Sequence, residues 1–332
     1  MEYAPKKFVG KHAQQIISLM IHANRTVSRN LVRVMDNVKN EEHVTTISGD
    51  VPWREYQEEI TEADLAAFAE ESTLAFADKT VMPRKVMALD KFLMDTLRSS
   101  RFAADMKAGA ANITSNEFEQ AVISYLTPRL GKSFERMFYL SITATDKATI
   151  AASSAPAAAK AWAAAQPAGK VRGIVSQMIL DGITDPSNSV IYVTGTTVTS
   201  SNIAGEYKKI HAALPTEVAG KSTLFVPEGD FALILQANDD QQYRDKFTVS
   251  GDDIETATVK YLGMKIEFVP INVRFAGMAG PEGDFALATD LLSDANEFKI
   301  TEVNNIGDAK FGKAVAALDA ACLRPQHKVV YL

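Results

Sequence analysis

Thiol chemistry is almost absent from this chain. Its 332 residues include one cysteine, Cys322, which excludes an intramolecular disulfide and any metal site built from several thiolates. That cysteine sits in the apolar stretch Ala316–Leu323, where a thiol packs as a small hydrophobe. Histidine is scarce as well. His12, His22, His43, His211 and His327 are scattered, and no HExxH pair is present to grip zinc. Ser/His/Asp catalysis can draw on distant residues, but no GxSxG elbow marks it here. No apolar run is long enough to cross a bilayer, and no basic-then-apolar leader opens the chain. These absences predict a soluble protein made in a reducing cytoplasm. They predict no membrane contact, no cofactor, no metal and no catalytic residue to name.

What is present is ordinary in amount and uneven in placement. The chain is 46% hydrophobic and 23% charged, within the globular range and long enough to bury a sizeable core. Its net charge of −6 hides two opposite blocks. Residues 1–40 carry seven basic side chains against Glu2 and Asp36, and residues 41–72 carry ten acidic ones against Arg54 alone. Such blocks can pair within a subunit or between neighbours.

Taken in order, Ile17, Met20, Val27, Leu31, Val34 and Val38 predict an amphipathic helix over most of 12–39. Arg25, Arg29 and Arg33, four apart, would share one face of it. That face is either solvated or touches DNA or an acidic neighbour, and DNA contact would be to phosphates and salt-sensitive. Thr61 and Asp64 resemble a capping box that opens a short helix. The acids around them lack ligand-like spacing with histidine and read as solvated or interface surface. Asn116 with Glu119 could cap the next helix. Phe118, Val122, Leu126, Leu130, Phe134, Met137 and Phe138 extend that helix, with a kink or break expected at Pro128 and Gly131. The alanine-rich run 156–166, anchored by Trp162, predicts a short helix in a low-complexity insertion. Beyond it, 190–199 is β-rich, and Ser200 or Ser201 is placed to cap a helix carrying Ile203, Tyr207, Ile210 and Leu214. Leu224–Val226 reads as a strand, with Pro227 opening a helix. Ile266 and Phe268 share one face of a strand that Pro270 ends or places at an edge, and 285–288 is a further short strand. Strands and helices mix without a regular βαβ repeat, so the class is α+β.

Two motifs tempt and fail. Gly220-Lys221-Ser222 lacks the glycine a phosphate-binding loop needs five positions earlier, where Pro215 stands, and it precedes a strand instead of following one. Gly131-Lys132-Ser133 has Leu126 at that position. PEGDFAL occurs at both 227–233 and 281–287 with unmatched flanks, so it reads as turn chemistry used twice.

The order of pieces over about the last 130 residues resembles the major capsid proteins of tailed bacteriophages, the Hong Kong-type capsid fold. Thr223–Val226 with 227–237 looks like the strand-then-helix step of the axial domain. Tyr261-Leu262-Gly263-Met264-Lys265-Ile266 followed by Val269-Pro270 looks like the family's leucine-glycine, strand, proline passage. Residues 285–291 look like its short strand ending in Asp-Leu, and 311–332 like the closing apolar stretch with Arg-Pro and a Val-Val-Tyr strand. The resemblance implies an N-terminal arm with an amphipathic helix over 1–44 and an extended loop over 45–100. It also implies a peripheral domain with a long spine helix and the alanine-rich insertion over 101–199, an axial domain over 200–300, and a return to the peripheral domain over 301–332. It implies a structural protein and not an enzyme: subunits that form pentamers and hexamers closing into an icosahedral shell around double-stranded DNA. Scaffolding and portal proteins are the implied partners. Two alternatives stay open, an encapsulin-like compartment around cargo protein and a soluble α+β enzyme whose site arises only on folding.

Overall fold

The computed structural model describes residues 6–8, 25–48, 59–62, 64, 66, 75–93, 116–184, 190–239, 246–251, 253–254, 256–271, 274–277, 283–290, 297–302 and 309–332. Two sheets and one long helix organise them.

The first sheet is built around β16 (Ala309–Cys322), a 14-residue strand. Along it run, antiparallel, β14 (Phe285–Thr289) and β15 (Glu297–Glu302), and also β5 (Arg84–Leu93). Strand β1 (Lys6–Phe8) pairs with β15, and β2 (Arg33–Met35) lies parallel to β14. Successive side chains of a strand point to opposite faces, and β14 is buried on both. Phe285 and Leu287 enter the main core, while Ala286 and Ala288 enter a smaller one with Met35, Val44 and Val81.

The second sheet has seven strands in the order β10 (Phe247–Ser250), β11 (Thr258–Tyr261), β12 (Met264–Val269), β9 (Thr223–Pro227), β13 (Arg274–Gly277), β17 (Val329–Tyr331) and β8 (Ile191–Val193). It separates two cores. Phe225 and Val330 face the main core, whereas Leu224, Val226, Val329 and Tyr331 face the other, with Ile266 and Phe268 beside them. Pro270 ends β12, as its missing N–H requires, but β12 is interior, paired with both β11 and β9. The turn into it, Leu262-Gly263, has both residues at positive φ (48° and 83°), the signature of a two-residue hairpin turn.

Helices with described bounds are α1 (Arg25–Ser28), α2 (Asn116–Leu140), α3 (Ala144–Ala152), α4 (Ala157–Ala165), α5 (Ile174–Thr184), α6 (Ile203–Ala213), α7 (Thr216–Ala219) and α8 (Asp230–Asp239). Four expectations need correction. The helix expected over 12–39 is not continuous: α1 has one turn, and Arg33–Met35 is a strand recruited by β14. Pairing with a buried strand wins over helical periodicity there; residues 12–24 lie outside the described residues. The spine helix α2 runs unbroken through Pro128, held by packing of Leu126, Phe134 and Phe138. The alanine-rich α4 is more than a surface element: one face, Ala159, Trp162 and Ala163, is buried in the main core, while the other is exposed. Last, Pro227 ends β9, and the helix opens three residues later at Asp230.

Other expectations fit closely. Helix α4 starts directly after Pro156. Helix α6 buries Ile203, Tyr207 and Ile210, although Asn202, not Ser200 or Ser201, occupies its cap. Thr61 and Asp64 exchange reciprocal hydrogen bonds: the Thr61 N–H donates to Asp64 Oδ2 at 2.9 Å and the Asp64 N–H to Thr61 Oγ1 at 3.3 Å. Lys221 follows α7 and precedes β9, the reverse of a phosphate-loop context.

Candidate functional site

The surfaces that stand out are built for attachment. Strands β3 (Glu42–Ser48) and β4 (Ala75–Val81) form an antiparallel hairpin of their own, outside both large sheets. Its root is fastened by two aspartates. Lys79 on β4 pairs with Asp181 on α5, and the Met82 N–H donates to Asp319 Oδ2 at 2.8 Å. Burial pushes both carboxyls above the usual aspartate range, against the pull of Lys79 on Asp181 and of the Met82 N–H on Asp319.

Immediately after the hairpin, β5 pairs with β16, and no other described strand lies along its outer edge. Its two faces differ. Val86 and Ala88 sit opposite the buried Ala316 and Ala314, while Met87 and Leu89, opposite Val315 and Lys313, are 56% and 58% exposed. Ile47 and Met82 add further exposed apolar surface at the hairpin. An open edge strand with apolar side chains is a template for association.

The N-terminal arginines do not form one helical face. The Arg25 guanidinium donates to the Ile254 carbonyl at 2.6 Å, and burial and the neighbouring Arg29 hold its pKa below the usual arginine value. Arg29 is ion-paired at 2.6 Å with Glu267, itself 1% exposed, and Lys265 reaches the other oxygen of that carboxylate at 2.9 Å. Arg33 is exposed on β2. Between the first two arginines, Thr26 is tied to the spine helix: its N–H donates to Glu135 Oε1 at 3.0 Å, its hydroxyl to the same oxygen, and Tyr139 shares a further bond of 2.9 Å. Periodicity gave no sign of this clasp, because Glu135 and Glu267 lie far from Thr26 in the chain.

A second buried polar cluster closes the C-terminus. Lys328 is fully buried, donating to the carbonyls of Leu323 and Arg324, with Asp284 Oδ2 3.5 Å away; Arg324 pairs with the same aspartate. Asp284 belongs to the second PEGDFAL copy. Asp230 of the first copy is also buried and accepts a hydrogen bond from the Tyr207 hydroxyl at 2.8 Å. The repeated heptapeptide thus supplies two buried aspartates with structural partners.

A cleft between the end of α2, the short strand β7 (Ala168–Gly169, paired with β6, Ile142–Thr143) and the β9–α8 turn is lined by residues such as Arg136, Ser141, Gln166 and Glu228, without histidine, cysteine or aspartate. Cys322 is buried, and burial lifts its thiol to about 11. Among the described residues no group of three or more His, Cys, Asp or Glu is placed to hold a metal, and no helix is long and apolar enough to cross a membrane.

A long helix in the main core, a second sheet shared between two cores and a hairpin rooted in the smaller core make up the arrangement. The chain has the Hong Kong-type fold of tailed-phage capsid subunits. A chain from the procapsid of satellite phage P4, a structure including the size determination (Sid) protein, aligns with 96% of this chain and 98% of its own at 9% identity and a TM-score of 0.53. One from Gordonia phage Cozz aligns over 93% and 86% at 9% identity and a TM-score of 0.52. The capsid of an empty GTA particle aligns over 93% and 89% at 9% identity and a TM-score of 0.49. No protein-family model and no curated protein matches the sequence. At 9% identity what is shared is the fold, and function resides in this chain's own surfaces.

Proposed function

We propose that this chain is the major capsid subunit of a tailed phage or prophage. Its copies form pentamers and hexamers that close into an icosahedral shell around double-stranded DNA. The observation that carries this reading is the apolar outer face of β5, with Met87 and Leu89 exposed beside an anchored hairpin and no second described strand at its edge, on a chain with the capsid fold. A shell distributes its stability over many repeated contacts of this kind and needs no concentrated polar site.

In this reading 1–44 is the arm and 45–100 the extended loop, for which the β3–β4 hairpin supplies the stem. Residues 101–199 are the peripheral domain with α2 as its spine, 200–300 the axial domain, and 301–332 the return. Scaffolding and portal proteins are the assembly partners, and the subunit assembles in the host bacterial cytoplasm to become part of the virion. Its role is structural, not enzymatic. Arg25 and Arg29 serve as tethers within the subunit, which leaves Arg33 as the exposed member of the three.

Light-scattering mass with negative-stain imaging of the purified protein, across salt and with scaffold added, tests this reading. Closed shells or uniform pentamers and hexamers are expected. A small oligomer that never assembles would overturn the reading in favour of a soluble enzyme. Native particles holding an enzyme and no DNA would replace it with a cargo compartment.

A further inference from the structure

The spine helix carries a feature that core packing does not use. Tyr125, Arg129, Lys132 and Arg136 follow one another at i, i+4, i+7 and i+11, and at 100° per residue they fall within one narrow stripe of the helix. All four side chains are exposed. The stripe spans about 16 Å at 1.5 Å per residue. The Arg129 guanidinium lies over the Tyr125 ring, 4.1 Å from its centroid, so a ring stacked beneath it holds the arginine outward. Lys132 is paired at 2.7 Å with Glu228, whereas among the described residues Arg129 and Arg136 have no ion-pair partner. Between 124 and 140 the only carboxylate is Glu135, which is buried against Thr26. On a chain of net charge −6, this is positive charge sorted onto one face of the helix.

We propose that this face of α2, rather than the N-terminal arginines, is where the subunit meets duplex DNA, by contacts to backbone phosphates. The inference rests on the shell reading, which places duplex DNA beside the subunit. Arg129 and Arg136 are the principal contacts. Planar guanidiniums match phosphate oxygens in pairs, and a linear row of cations on a helix suits a linear row of phosphates. Lys132 contributes less because a phosphate must displace Glu228. The contact reads no base edges and is blind to sequence.

The test is fluorescence anisotropy of a 20-base-pair duplex with the full-length chain at 50–200 mM salt. It compares the wild type with Arg129→Gln/Arg136→Gln and, separately, with Arg33→Gln. Each neutralised phosphate contributes about 0.9 to the salt slope, so the double variant should lose about 1.8 of it, and the wild type's affinity should fall about 12-fold more steeply over that range. Arg33→Gln should leave the slope unchanged, and two duplexes of different sequence should bind alike. An unchanged slope in the double variant, or wild-type binding that ignores salt, would overturn the proposal. So would polyglutamate binding at the stripe more tightly than DNA, which would make the partner an acidic protein. Shell assembly is scored on the same proteins without DNA. A wild type that fails to assemble even with scaffold rejects the shell reading, whereas intact shells with an unchanged slope reject only the DNA face. Assembly lost in the double variant without DNA would show that the stripe meets a neighbouring subunit instead.

Discussion

Glu135 shows how one buried carboxylate ties the N-terminal segment to the spine. Burial raises its pKa above the usual glutamate range, opposed by the hydrogen bonds from Thr26 and the charge of Arg25. A folded state that holds a proton more tightly than the unfolded chain gains stability that is full below the unfolded pKa. That gain is lost as pH rises through the folded value. Glu135→Gln keeps an oxygen acceptor for Thr26 and carries no charge. It is therefore expected to be more stable than the wild type at pH 7, with the advantage shrinking toward pH 4. Glu135→Ala should instead cost about 1–3 kcal/mol, the penalty for leaving the buried Thr26 groups unpaired. Urea midpoints of both variants between pH 4 and pH 7 check this. A pH-independent gap between Gln and wild type would contradict the burial argument.

At the scale of the element, the β11–β12 hairpin carries a residue poorly suited to its place. Leu262 stands at φ 48°, and its side chain is 57% exposed. An L-residue with a bulky side chain is strained in the left-handed region, at about 1–2 kcal/mol, whereas asparagine visits it readily. Leu262→Asn would create Asn-Gly, the preferred pair for this turn, and should raise subunit stability by about 1 kcal/mol in a urea titration. If the variant is more stable as a subunit but assembles poorly, Leu262 is retained for a contact between subunits. If it assembles normally, the exposed leucine has no such role.

For the whole molecule, the proposed function depends on surfaces left over once the cores are complete. Met87 and Leu89 contribute little to the folded subunit because more than half of each side chain is exposed. Met87→Glu/Leu89→Glu should therefore change subunit stability by less than about 0.5 kcal/mol and abolish assembly. Light scattering would then report unassembled protein with unchanged far-UV circular dichroism. Shells of normal size from this variant would remove β5 from the list of contacts.

Much of this was legible in the chain, because local rules decide local structure. Proline and alanine placed α4, a threonine and an aspartate three residues apart made the capping box, and alternation put Ile266 and Phe268 on one face of β12. The order of such pieces was enough to point to the capsid fold. Tertiary structure decided the rest. Residues 33–35 keep a helical spacing of apolar neighbours, yet they become a strand because β14 offers a buried edge to pair with. The arginine row spaced four apart was drawn apart by Glu267 and the Ile254 carbonyl, partners more than two hundred residues away that no local pattern announces. Conversely, the exposed stripe on α2 needed the structure to show which of its faces packing leaves to solvent. Periodicity sets which side chains can share a face, and only the folded chain determines what that face meets.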